Sequence, residues 1–220
     1  MRSVADNSEV GGKDGKTLAS ERLREAVMRG EVAPGQRLVE AELVERFRVT
    51  RSSVRAAIDE LVAEGLFERV HHRGARVRTV SLAQAVEILE CRKVLEGLIA
   101  AKAARRVSVT DAKRLRAYAD ELTAAVRDGE PLRYSSLNHE MHAALREIAG
   151  QSTAAELIGR LNAQIVRHQF QLSLRPGRPQ VSLGEHLAVV EAVIAGDAPA
   201  AERAMRDHLD SVIAALDSSG

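Results

Sequence analysis

Hydrophobic residues recur at helical spacing in three segments near the N-terminus and then alternate along two short runs. The helical segments cover residues 17–30, about 39–47 and 50–65, and the alternating runs cover 66–70 and 75–80. Gly30 and Gly65 end two of the helices, because glycine readily adopts the left-handed conformation that follows a helix C-terminus. A tight turn around Arg73 and Gly74 joins the two runs. Three helices and a hairpin predict a winged helix-turn-helix.

From Ser81 to the C-terminus the pattern is helical throughout. It predicts about six helices, at 82–106, 109–128, 131–149, 153–174, 182–196 and 198–216. The loops between them are short, which favours an antiparallel bundle. The predicted fold is therefore mainly α, with an N-terminal winged helix-turn-helix of three helices plus a β-hairpin, followed by an all-α antiparallel helical bundle.

These patterns divide the chain into three regions. Residues 1–16 contain several glycines and lysines but no apolar run, so we expect a flexible tail without a signal-peptide core. Residues 17–80 form the predicted winged helix-turn-helix domain, and residues 81–220 form the helical domain.

The apolar runs, the single cysteine and the net charge of the chain indicate where the protein is located and how it could bind nucleic acid. No segment reaches the roughly 18 uninterrupted apolar residues that a membrane-spanning helix needs, and a lone Cys91 cannot form an internal disulfide, so we expect a cytoplasmic protein with no membrane partner. The formal net charge is only +1. Nucleic-acid binding must therefore rest on local basic clusters. Two such clusters, free of acidic residues, lie at 46–55 and 69–78.

The first cluster falls on the helix that reads DNA in a helix-turn-helix. Arg51 and Arg55 are four residues apart, so they share one face of the third helix, with Thr50 as a plausible N-cap. Either arginine could pair bidentately with guanine, a contact worth about 1–3 kcal/mol of discrimination. Arg73 at the wing tip is placed to meet a flanking groove or a phosphate. A solvated basic helix face is the simpler alternative, and the adjoining tight turn and basic hairpin favour DNA binding over it.

Histidines are the informative residues of the second half. Asn138 and His142 lie one helical turn apart, and His186 and His208 continue the apolar stripes of the last two helices. Three neutral imidazoles and an amide oxygen suit a borderline divalent cation such as zinc or nickel. From spacing alone, hydrogen-bonded core histidines are favoured over a metal site. The arginines at 167, 175 and 178 are expected to be solvated.

The N-terminal domain resembles the GntR superfamily of bacterial regulators. The similarity lies in residues 30–38, in 49–55, in Glu64-Gly65-Leu66 and in Arg73-Gly74. It implies that operator DNA contacts Arg51, Ser52, Arg55, Arg73 and Gly74. Thr50, at the start of the same helix, is a further candidate DNA contact. This chain has Arg48 where the family usually has glycine, and Ala41 where some relatives have a DNA-contacting arginine. The first change adds a candidate phosphate contact and the second removes a contact.

The helical domain resembles the ligand-binding FCD domain of the FadR-like branch. The similarity lies in residues 90–96, 138–142, 185–197 and 205–209, and six helices rather than seven resemble the VanR-type subgroup. The resemblance implies that Asn138, His142, His186 and His208 bind a divalent metal, and that Arg92 meets the carboxylate of an effector. Family members mostly have aspartate in place of Asn138, so this site has one negative charge fewer.

The sequence thus predicts a homodimeric, ligand-responsive repressor that binds double-stranded operator DNA and a small organic acid. A metal-dependent hydrolase that uses the three histidines is the alternative from a different class. It lacks an acidic residue evidently placed as a general base. A non-specific DNA-packaging protein is a third possibility, which the near-neutral net charge disfavours.

Overall fold

The computed structural model describes residues 10–71 and 74–217. The predicted wing-tip residue Arg73 lies outside the described residues. The chain divides into two compact units, of which the first ends at Val80 and the second begins at Ser81.

Over residues 10–71 and 74–80 the first unit contains three helices and a two-stranded hairpin, which confirms the predicted winged helix-turn-helix. Its elements are α1 (Gly12–Met28), α2 (Glu40–Phe47), α3 (Arg51–Ala63), β1 (Phe67–Val70) and β2 (Gly74–Val77). The strands are antiparallel, and Phe67 lies opposite Val77. The Thr50 hydroxyl caps α3 by accepting a hydrogen bond from the Ser53 amide at 3.3 Å. Val54 and Leu61 on the inner face of α3 are fully buried, so the opposite face remains open to solvent.

The expectation of a flexible tail over residues 1–16 is wrong for the part that the structure describes. Helix α1 begins at Gly12, and before it the Val10 amide donates to the Arg48 carbonyl at 3.1 Å while the Val10 carbonyl accepts from Thr50 at 3.0 Å. Gly15 is buried so closely against Val10 that a Cβ would collide with the Val10 carbonyl oxygen. Backbone hydrogen bonds and close approach at glycine order this segment, and neither depends on apolar side chains. Residues 1–9 lie outside the described residues.

The turn between α2 and α3 places Arg48 in the left-handed region, with φ 54° and ψ 46°. Glycine adopts this conformation without strain, whereas a residue with a side chain, such as Arg48, is strained there. Arg48 is exposed and lies directly before the N-terminus of α3.

The second unit consists of six helices over its described part, which confirms the predicted all-α bundle. They are α4 (Leu82–Arg106), α5 (Val109–Arg127), α6 (Pro131–Ala149), α7 (Ser152–Ser173), α8 (Arg178–Ile194) and α9 (Ala198–Asp217). Helix α4 packs against α6, α7, α8 and α9, so it lies at the centre of the bundle. Helix α8 begins before the predicted start at residue 182, because Pro179 lies in the first turn, where a missing amide proton costs nothing.

Large apolar side chains from α4, α6, α7 and α9 fill the interior of this bundle, among them Leu89, Met141, Ile158 and Met205. None of the helices over the described ranges is long and apolar enough to span a membrane.

Candidate DNA-binding surface and three-histidine site

Helix α3 presents a cationic face to solvent. The side chains of Arg51 and Arg55 are 68% and 60% exposed, and Ser52 is exposed beside them. One carboxylate holds both arginines, because Glu40 Oε2 lies 3.2 Å from Arg51 Nε and 2.8 Å from Arg55 Nε. The structure therefore brings the predicted reading residues together on one accessible face, and it adds an acidic partner from α2 that sequence reasoning missed.

The other predicted DNA contacts have different surroundings. The Thr50 hydroxyl serves as the cap of α3 and lies 3.0 Å from the Ser52 hydroxyl. Gly74 begins β2 with φ 83° and has open space around it, so only a residue tolerant of the left-handed region fits the end of the wing.

Three histidines from three helices meet inside the second unit. His142 on α6, His186 on α8 and His208 on α9 each offer a ring nitrogen, and these nitrogens all lie within 4.8 Å of one another. The Nε2 atoms of His142 and His186 are 3.3 Å apart. His186 is fully buried and His208 is nearly so. The structure thus assembles three of the four predicted ligands around one point.

The Nδ1 atom of each of these rings has its own partner. His142 Nδ1 lies 3.0 Å from Glu96 Oε2, and His208 Nδ1 lies 2.7 Å from Glu185 Oε2. His186 Nδ1 lies 2.9 Å from the Tyr134 hydroxyl. A carboxylate that accepts from Nδ1 fixes the ring orientation and leaves the Nε2 lone pair available. The two carboxylates therefore leave the Nε2 lone pairs of His142 and His208 available, and the Tyr134 hydroxyl holds the His186 ring by its Nδ1 atom.

The electrostatics of the site favour neutral imidazoles at His186 and His208. Burial lowers the pKa of His186 well below its usual value, and the charges of His208 and His142 lower it further. Burial also lowers the pKa of His208, although the hydrogen bond with Glu185 opposes this effect. A neutral imidazole is the form that binds metal ions.

Two carboxylates beside the site stay ionised despite their burial. Burial would raise the pKa of Glu96, but the charge of Arg92 and the contact with His142 together hold it far below its usual range. Burial would also raise the pKa of Glu185. The hydrogen bonds from His208 and Ser211, together with the charges of His208 and Arg178, stabilise the Glu185 anion and lower this pKa.

Asn138 completes the set of candidate ligands. It lies one turn before His142 on α6, and its Oδ1 atom is buried without a hydrogen-bond partner among the described residues. A buried amide oxygen without a partner is costly unless something else satisfies it. Three imidazoles and one such oxygen fit a borderline divalent cation, so these residues could hold zinc or nickel.

Arg92, the predicted effector contact, already donates hydrogen bonds to Glu96. It is 5% exposed, and its Nε and Nη2 atoms both donate to Glu96 Oε1, the former at 2.8 Å. Its Nη1 atom is buried and unpartnered among the described residues. Arg92 therefore retains one donor with which it can bind a ligand.

Four side chains around the histidines escaped the sequence analysis, namely Glu96, Glu185, Tyr134 and Arg178. Arg178, expected to be solvated, instead has a side chain only 10% exposed that binds Glu185 Oε2 at 3.0 Å and Ser211 Oγ at 2.8 Å. Of the four, only Glu96 left a signal that could have been used, since it stands four residues after Arg92 on a buried helix face. Acidic residues thus do lie beside the histidines, but each contacts the Nδ1 side of a ring and is also paired with an arginine.

A winged helix-turn-helix followed by an all-α helical bundle is the architecture of a class of DNA-binding transcription regulators. The chain belongs to the GntR family: residues 17–77 match the description "Bacterial regulatory proteins, gntR family", and residues 87–211 match the FCD domain.

Known proteins similar to this chain agree with that membership. The chain is 28% identical over 190 residues to the HTH-type transcriptional repressor RspR of Escherichia coli K12, covering 86% of this chain and 83% of that protein. It is 27% identical over 207 residues to the HTH-type transcriptional regulator LutR of Bacillus subtilis 168, covering 84% and 94%. The solved structure of E. coli McbR/YncC superposes with a TM-score of 0.81 at 20% identity over 93% of this chain and 98% of that one, which supports the fold. The family and these relatives give no support to the hydrolase alternative.

Proposed function

We propose that this regulator is a ligand-responsive repressor that binds a palindromic operator as a homodimer. In this proposal Arg51, Ser52 and Arg55 on α3, with Arg73 and Gly74 at the wing, contact the DNA. A small organic acid that binds beside the three histidines changes the affinity for DNA. The observation that carries the sensory part is the convergence of three imidazoles on one point, of which those of His186 and His208 are buried and that of His142 is partly buried. The repressor RspR, similar over most of its length, supports repression as the outcome.

The charges around Glu96 favour an anionic effector. Two guanidiniums, those of Arg92 and Arg146, lie near the carboxylate of Glu96. Burial lowers the pKa of Arg146, and the charge of Arg92 adds to this effect while Glu96 opposes it. A carboxylate bound here would neutralise the excess positive charge and would accept from the unpartnered Nη1 of Arg92.

A divalent cation would be held by Asn138, His142, His186 and His208. When bound, the ion supplies a positive charge and open coordination positions for an oxygen of the effector. The residues of this chain orient that site, because Glu96, Glu185 and Tyr134 fix the three rings by their Nδ1 atoms. A protein of this kind is expected in the cytoplasm, where operator DNA lies.

The proposal is tested by selecting duplexes from a random pool with the full chain. We expect a palindromic sequence to be enriched, and its Kd to lie well below that of a scrambled duplex at physiological salt. A panel of small mono- and dicarboxylic acids is then added, and an effector should change the Kd about 5–150-fold. Sedimentation of the free protein checks the homodimer. Equal affinity for selected and scrambled duplexes would overturn the proposal.

Restoring the missing negative charge should strengthen metal binding. We expect Asn138→Asp to bind zinc or nickel at least about tenfold more tightly than the parent protein, since a carboxylate adds Coulomb attraction in a poorly solvated site. Asn162→Asp is the matched control, because Asn162 on α7 also has a buried Oδ1 without a partner among the described residues but lies outside the four-residue set.

The measurement is calorimetric titration with each metal, supported by elemental analysis of the purified proteins. His208→Ala should abolish the tight binding phase in both the parent and the Asn138→Asp protein. The metal assignment is wrong if His208→Ala binds as tightly as its parent, or if Asn162→Asp gains as much affinity as Asn138→Asp.

A further inference from the structure

Glu40 is the one acidic side chain that the structure places against both candidate base-reading arginines, among the residues described. It opens α2, and its side chain is 29% exposed, about half the exposure of either arginine. Burial would raise the pKa of Glu40, but the hydrogen bonds from Arg55 and Arg51 outweigh this effect and lower it. The carboxylate is therefore an anion within the cationic face of α3.

Both contacts use the Nε edge of the guanidinium. Glu40 Oε2 accepts from Arg55 Nε at 2.8 Å and from Arg51 Nε at 3.2 Å, whereas no hydrogen bond within the described ranges engages the terminal Nη atoms of either arginine. The terminal nitrogens thus stay available to an acceptor on DNA while the side chains are already paired. A guanidinium can use two nitrogens at once to bind the O6 and N7 acceptors of guanine.

We infer that Glu40 is a positioning residue that sets DNA-sequence specificity by holding Arg51 and Arg55 ready for base edges and disfavouring their use on phosphates. The inference rests on the proposed DNA-reading role of α3.

Two physical effects support it. Arginine carries about 2 kcal/mol of rotamer entropy, and side chains restrained before binding lose less of it at the interface. If the arginines turned to phosphates, Glu40 would also be left as an unpaired anion beside a polyanion, because its carboxylate is held against the same two guanidiniums. Base reading through Nη atoms can keep the Glu40 contacts, whereas phosphate binding that draws both guanidiniums away cannot.

The test compares Glu40→Gln with Glu42→Gln in the full-length protein. Glu42 occupies the same first turn of α2, is exposed and has no ion pair within the described residues, so its replacement removes the same charge without touching the arginines. The probes are the duplex selected by the wild-type protein and a scrambled duplex of equal length. The readouts are both Kd values, their dependence on salt, and the melting temperature.

For Glu40→Gln we expect tighter binding to the scrambled duplex and weaker or equal binding to the selected one. The ratio of the Kd for the scrambled duplex to the Kd for the selected duplex should therefore fall about tenfold. Glu42→Gln should keep the ratio within about twofold of wild type, a range typical of exposed substitutions. Glu40→Asp keeps the charge but shortens the reach, so it should weaken binding to the selected duplex without tightening binding to the scrambled one.

An unchanged ratio in Glu40→Gln, or an equal fall in Glu42→Gln, would overturn the inference. If Glu40→Gln melts at a lower temperature than wild type, its Kd ratio no longer tests the inference by itself. The Kd ratio of Glu40→Asp must then also fall for the inference to stand. A wild-type protein without any sequence preference would overturn the proposed function itself, whereas a preference that survives in Glu40→Gln and Glu40→Asp would overturn only the role of Glu40.

Discussion

Glu96→Gln is expected to destabilise the second unit by about 3–5 kcal/mol, because it leaves the buried guanidinium of Arg92 without its counter-ion. Arg92 and Glu96 are 5% and 2% exposed, so water cannot replace the lost carboxylate. The same change weakens the contact with His142 Nδ1, which lies 3.0 Å from Glu96. In a unit of this size the loss corresponds to a fall in melting temperature of roughly 6–20 °C.

Two further variants separate this effect from a general loss of charge on α4. Glu87→Gln removes an exposed glutamate of the same helix, and we expect a change below about 0.5 kcal/mol. Replacing the whole pair, with Arg92→Met and Glu96→Leu together, should restore much of the lost stability, because no buried charge is left unpaired. Thermal unfolding followed by circular dichroism measures all three. Similar losses in Glu96→Gln and Glu87→Gln would contradict the importance of the buried pair.

Arg51→Ala is expected to reduce the preference for the selected duplex over the scrambled one by about 10–100-fold, the equivalent of one lost bidentate base contact. The side chain of Arg51 is 68% exposed and makes no contribution to the core, so its removal should leave the melting temperature unchanged. Competition binding with the two duplexes gives the ratio. Repeated selection with the variant should show relaxed preference at one base pair in each half-site.

Arg73→Ala is the informative comparison for that experiment. A wing residue that meets phosphate should weaken binding to both duplexes alike and lower the slope of log Kd against log salt by about one. Equal, sequence-independent losses for Arg51→Ala and Arg73→Ala would contradict the assignment of Arg51 to base reading.

The sequence predicts those parts of this protein that depend on neighbouring residues. The repeating apolar positions predicted α4 at 82–106 and α6 at 131–149, which are the observed bounds. That Arg51 and Arg55 share one face of α3 follows from their spacing of four residues, which is about one helical turn. The same geometry brings Asn138 close to His142 on α6.

The predictions from sequence were wrong for segments whose structure depends on hydrogen bonds and ion pairs, because the spacing of apolar residues does not indicate such contacts. Residues 12–16 have no apolar run, yet they form the start of α1, beside the hydrogen bonds that tie Val10 to Arg48 and Thr50. Arg178 precedes a proline and suggests an exposed loop, but α8 begins there and turns the side chain towards Glu185. A helix can start within such a segment because proline in the first turn loses no hydrogen bond.

The sequence by itself determined the helices, the hairpin, the cationic face of α3, the position of His142 one turn after Asn138, and the positions of His186 and His208 on apolar stripes. Each of these follows from periodicity or from spacing along one element. Only the tertiary structure decided that these histidines meet and which groups hold them. Tyr134 and His186 are 52 residues apart in sequence, and His142 and His186 are 44 apart, so their contacts depend on how separate helices rotate and pack. The pairing of Glu40 with both arginines is likewise set by the left-handed turn at Arg48, which brings α2 against α3.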